Sequence, residues 1–121
     1  MPVAADITKV VAPSSAPAGE TVIVDVSVKN ISATDKEVAV TGVVDSTKLS
    51  WQFGYLLVSP GQTVVMRGNF TMPAKSVRVT AWGHYWNGSI WVLDDTVYVD
   101  IALVTVGATE FRNLSCSYSK V

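Results

Sequence analysis

An all-β fold, a sandwich of antiparallel strands, is predicted by three features of this 121-residue chain. Apolar and polar residues alternate at period two over several stretches. Turn chemistry returns about every eight to twelve residues, and no stretch carries the helical period.

The clearest element runs from Thr21 to Lys29. Val22, Val24, Val26 and Val28 share one parity there, and Thr21, Asp25, Ser27 and Lys29 the other. That is a strand with one face in a core. The Pro13–Gly19 stretch before it and Asn30–Lys36 after it read as loops. Glu37–Val44 reads as a strand. Leu49–Val58 is apolar on both parities, which suits a strand buried on both faces or crossing between sheets. Ser59-Pro-Gly-Gln62 has Pro and Gly where a type II turn wants them. Alternation resumes over Thr63–Met72 and ends at Pro73.

Asn87-Gly88 is a strong hairpin signal, flanked by strands at Ser76–Trp86 and Ser89–Leu93. Thr96–Leu103 forms another strand, and Leu114–Ser119 alternates as one more. Seven to nine strands in an Ig-like antiparallel β-sandwich follow. One domain is expected over residues 1–103. Residues 104–121 form a C-terminal extension whose strand packs on the same domain or on a neighbour.

The segment Ala16-Pro-Ala-Gly-Glu-Thr-Val-Ile-Val-Asp-Val-Ser-Val-Lys-Asn-Ile-Ser32 resembles the second-strand signature of bacterial and archaeal Ig-like modules of the cell-adhesion-related, CARDB type. Val58-Ser-Pro-Gly-Gln-Thr-Val-Val65 resembles a later turn and strand of that group. Phe70-Thr-Met-Pro73 and the stretch from Val77 through Trp91 and Asp94 to Leu103 continue the likeness. The resemblance implies a fold and, more loosely, a surface-displayed or virion-borne module, virus- and phage-encoded relatives included.

Composition narrows the function classes. Nine basic and ten acidic residues are scattered and give a net charge of -1, so no basic run exists to hold nucleic acid. The longest uncharged run, 49–66, holds Pro60, Gly61 and two glutamines, so membrane insertion is not expected. No signal peptide is read at the N-terminus. A virion or extracellular surface is the expected location, with the cytoplasm left open. A lone cysteine, Cys116, makes no intrachain disulfide.

Catalytic chemistry is thin, and no enzyme activity is expected. His84 is the single histidine, so any Ser-His-Asp or Cys-His arrangement would pass through it. Asp94 and Asp95 are neighbours on a strand and point to opposite faces, unlike paired glycosidase carboxylates. A bulge there would let them hold calcium with Asp45 or Asp100, or simply guard a sheet edge. No zinc set and no cofactor motif are present.

The sharpest feature is an aromatic row. A two-residue Asn87-Gly88 turn sets Trp86 opposite Ser89, His84 opposite Trp91 and Trp82 opposite Leu93. Val77, Val79, Ala81, Tyr85, Ile90 and Val92 then occupy the other face. The row Trp82, His84, Trp86 and Trp91 packs on a partner, stacks on sugar rings, or, with the parity inverted, is itself core. Trp51 reads as a core tryptophan.

All four asparagines, Asn30, Asn69, Asn87 and Asn113, begin glycosylation sequons. In the tail, Leu114, Cys116 and Tyr118 share one side. That strand closes its own domain's edge or adds to a neighbour's sheet. The expected function is a non-catalytic structural or interaction module that self-associates or joins other structural proteins on a virion, filament or cell surface. A carbohydrate-binding module using the Trp-rich hairpin is the alternative.

Overall fold

The computed structural model describes residues 2–45, 47–49 and 54–104, together with the backbone of 118–120. Trp51, Asn113, Leu114, Cys116 and the side chain of Tyr118 lie outside the described residues. The strands are β1 (Ala5–Val11), β2 (Ser15–Pro17), β3 (Thr21–Asn30), β4 (Lys36–Val44), β5 (Thr47–Leu49), β6 (Tyr55–Val58), β7 (Thr63–Thr71), β8 (Val77–Trp86), β9 (Trp91–Val104) and β10 (Tyr118–Lys120). Seven of them have four residues or more, and three short ones patch the edges.

The architecture is the predicted sandwich. One sheet has the order β1-β3-β7, and the other β10-β9-β8-β4-β5, with β6 also on β4 and β2 parallel to β9. The inward valines of β3 meet Val38, Val40, Val79, Val97, Val99 and Ile101 of the larger sheet in one core. Each fully buried side chain of this size contributes about 1.5–3 kcal/mol, so the core holds the fold without a cross-link.

Several elements differ from the sequence reading. Leu49–Val58 is not one strand: Thr47–Leu49 and Tyr55–Val58 pair with successive parts of the same edge of β4. β1 and β2 occupy a stretch in which no strand was expected. The two strands expected at Ser89–Leu93 and Thr96–Leu103 are one continuous β9. Asp94 is the extra residue of a bulge within it, since Leu93 pairs with His84 and Asp95 with Gly83.

That bulge reverses the parity of β9. Before it Trp91 and Leu93 are exposed; after it Asp95, Val97, Val99 and Ile101 are buried. An added residue of this kind turns one strand's faces over without breaking the sheet. Both carboxylates then serve the backbone of the N-terminal strand. Asp94 accepts from the amides of Val3, Ala4 and Ala5 at 2.7–3.1 Å. Asp95 accepts from Ile7 N at 2.9 Å and Thr96 N at 3.0 Å. Beside them, Gly83 gives Ile7 its room: a Cβ there would lie 3.3 Å from Ile7 Cγ1.

Asp95→Ala is expected to cost about 3 kcal/mol, because it strands buried amides that now face a carboxylate. Asp94→Ala should cost about 1 kcal/mol and raise hydrogen exchange at Val3–Ala5 first. Urea unfolding and residue-resolved exchange measure both; equal stability of Asp95→Ala and wild type would remove the clamp.

Candidate functional site

The hairpin between β8 and β9 carries the candidate site. Its turn is longer than expected: Asn87 Oδ1 accepts from the amides of Ser89 and Ile90, both at 2.9 Å, and Gly88 takes φ +102°. The asparagine side chain thus closes a four-residue connection in place of a two-residue one. Pairing moves accordingly, with Trp86 opposite Trp91, His84 opposite Leu93 and Trp82 opposite Thr96. The shift before the bulge is an even number of residues, so Trp82, His84, Trp86 and Trp91 keep a common face. Ile90 leaves the expected core face and is 61% exposed in the turn.

That face points away from the core. Val77, Val79, Ala81 and Gly83 are buried on β8, whereas Trp82, His84 and Trp86 are half-buried on its other side. The inverted arrangement, with the tryptophans as core, is excluded by this alternation. β4 and β6 extend the face, since Ala39 lies between His84 and Tyr55, and Glu37 lies opposite Leu57. Tyr55, Leu57, Trp91 and Leu93 are 61, 67, 39 and 56% exposed. Together they expose on the order of a few hundred Å², the size of the larger apolar patches of a monomer.

Tyr55 and Leu57 escaped the sequence reading, because Leu49–Val58 gives no parity to follow. The opposite outer face, on β3 and β7, carries Thr21, Ser27, Lys29, Asn69 and the Arg67–Asp25 ion pair at 2.8 Å. Val11, Ile23 and Val65 are exposed on that face too, each paired across with a polar residue, Asp25, Asn69 and Ser27, so it is exposed aromatic surface that is concentrated on the β8–β9 side.

The rings are interlocked and not coplanar. Trp86 and Trp91 meet edge to face, centroids 5.5 Å apart at 63°, and Tyr55 is tilted 56° to Trp91 at 5.8 Å. A shallow cleft of about 320 Å³ opens beside them, lined by Ala39, Thr41, Gly54, Tyr55, His84 and Trp91. Its polar floor is a single hydrogen bond, Thr41 Oγ1 to His84 Nε2, at 2.9 Å. Burial pushes the imidazole pKa below its usual 6.5 and favours the neutral ring.

The other candidate residues serve the fold. Asp94 and Asp95 hold backbone amides, and no group of three or more metal-ligating side chains occurs among the described residues. Asp45 and Asp100, their suggested calcium partners, lie at a second depression of about 420 Å³ with Arg78. There the Arg78 amide, with Lys75, holds Asp45 below the usual carboxylate range, and the Arg78 guanidinium does the same to Asp100. Asn30 is fully buried: Nδ2 donates to the carbonyls of Thr34 and Val58, and Oδ1 accepts from Ser32. A glycan there would replace one of the two Nδ2 hydrogens used in these bonds and place its first sugar at a fully buried site. Asn69 and Asn87 are exposed. β10 pairs antiparallel with Val97–Val99 of its own chain.

Comparison with known proteins bears on the fold. No family model matches the sequence, and no curated protein matches it. Among solved structures, the crystal structure of a CARDB domain from Pyrococcus furiosus, in complex with di-metal ions, superposes with a TM-score of 0.63 at 16% identity, over 86% of this chain and 93% of that one. The chain has the fold of a CARDB domain. At that identity the likeness carries fold and not ligand, so the CARDB-like sandwich leaves its function to its own surface.

Two outcomes follow. The neutral His84 ring stabilises the fold fully above its unfolded pKa, and that contribution is lost as pH falls through the lower folded value. Unfolding midpoints should therefore drop from about pH 7 downward, and His84→Gln should flatten that slope. Peptide mapping of chain made in a glycosylating host should find Asn30 unmodified; a glycan there in folded protein would contradict its burial.

Proposed function

We propose that this chain is a non-catalytic interaction module that docks on protein through the outer aromatic face of β4, β6, β8 and β9. One observation carries the reading: Tyr55 and Trp91 are exposed in contact with each other on a face that also exposes Leu57 and Leu93, while the outer face of the other sheet exposes only aliphatic residues set singly among polar ones. Aromatic residues at the centre of a patch of this size are the usual anchors of an interface. Display on a cell surface, filament or particle is the setting in which such a module works.

A sugar is the weaker match. A flat stacking platform has co-oriented rings, and the rings here are tilted 56° and 63° to one another. The cleft's polar pair, Thr41 and His84, is also engaged within itself.

Selection of random peptides on the intact chain, with Trp91→Ala as counter-screen, tests the reading. Peptides should bind wild type and lose at least about tenfold in affinity on the variant. A glycan array run in parallel decides the alternative. Binding confined to glycans, and abolished by Trp91→Ala, would replace this proposal with the carbohydrate one.

A further inference from the structure

The hydrogen-bonding inventory of the aromatic face restricts what it accepts. An indole N–H is a donor only. The N–H groups of Trp82, Trp86 and Trp91 have no acceptor within the protein among the described residues, and those of Trp82 and Trp86 are not sealed from solvent. Trp82 and Trp86 stand on β8, whose backbone is consumed by pairing because it lies between β4 and β9. A ligand lying over them cannot add there as a strand. It must bring apolar surface and carbonyl acceptors, and need few acceptors for N–H groups of its own.

A second copy of this face meets that demand poorly, because it brings three more indole donors and few side-chain acceptors for them, chiefly Glu37, Thr41 and Tyr55. A proline-rich segment meets it well. Each proline lacks an N–H, offers a ring of CH₂ groups and leaves its carbonyl free. Such a segment is also extended before it binds, so ordering costs little.

Glu37 sets a direction. It shares the outer face of β4 with Ala39 of the cleft, two residues away, and has no cationic partner in the described structure. Two residues along a strand span about 7 Å, and two residues of polyproline II cover about 6 Å.

We propose that the face binds a proline-rich segment in polyproline II conformation, with a proline ring against Tyr55 and Trp91 and an arginine or lysine two residues along beside Glu37. This rests on the reading that the face docks protein.

Titration of the full chain with three capped decapeptides, followed by tryptophan fluorescence and amide NMR shifts, tests it. The probes are an oligoproline with one central arginine, its all-proline counterpart, and a Gly-Ser peptide with the same arginine. The first should bind tightest, the second about three- to tenfold more weakly and with less salt dependence, and the third not measurably. Trp91→Ala and Tyr55→Ala, both at exposed sites and checked by thermal melting, should each weaken the first peptide about tenfold or more. Glu37→Gln should erase the difference between the first two. Absence of proline-peptide binding, or equal binding of the Gly-Ser peptide, overturns the proposal. If selected random peptides depend on Trp91 but lack proline, the docking face stands and the proline class falls. If none depends on Trp91, both fall.

Discussion

Two adjacent carboxylates on β9 hold one edge of this sandwich. Adjacent strand residues ordinarily face opposite ways, so a buried Asp95 and an Asp94 turned to the N-terminus require the bulge between them. Asp94 gathers three successive amides, Val3, Ala4 and Ala5, and Asp95 takes Ile7 N from within the core. Charge-assisted bonds of this type are about twice as strong as neutral ones, and here they tie β1 of one sheet to β9 of the other. The sandwich is stitched by side chain to backbone where sheet-to-sheet packing is otherwise apolar.

The same bulge makes the outer aromatic face. An unbulged β9 that kept Val97, Val99 and Ile101 inside would also carry Trp91 and Leu93 inside. One kept in register with an outward Trp91 would put those three aliphatic residues in water, at about 1.5–3 kcal/mol each. The inserted Asp94 resolves the conflict. Core and aromatic patch come from one strand because one residue is surplus. Gly83 belongs to this device, since it sits opposite Asp95 and leaves the space that Ile7 fills.

How far the sequence carried can be traced residue by residue. β3 was legible because Val22, Val24, Val26 and Val28 obey a single local rule, and the sandwich follows from such stretches. The outward tryptophans were half legible: Val77, Val79 and Ala81 implied a core on the other side, but alternation alone is symmetric under inversion. What broke the symmetry was burial, which depends on the second sheet. The turn was misjudged for a local reason, the Asn87 side chain replacing a backbone partner for Ser89 and Ile90. The Asp94–Asp95 clamp was illegible because its partners lie about ninety residues away, and β1 because a register shift between Ile7 and Lys9 interrupts its alternation. Asn30 misled for the opposite reason. Its motif is local, while its burial against Val58 is not.

The aromatic face and its cleft differ in how firmly the fold fixes them. Trp82, His84 and Trp86 stand on β8, flanked by β4 and β9, so the sheet itself sets their spacing. Tyr55 stands on β6, an edge strand of four residues just after Gly54, whose φ is +44°. One wall of the cleft is therefore held by a long central ladder and the other by a short marginal one. A ligand that packs against both Tyr55 and Trp91 gains contact on each side, and it also orders the weaker wall. Any ordering of β6 is the same for every such ligand, whereas the ligand's own ordering cost falls as it becomes stiffer. A rigid extended ligand suits such a half-rigid cleft better than a flexible one, which would add its own ordering to that of the protein.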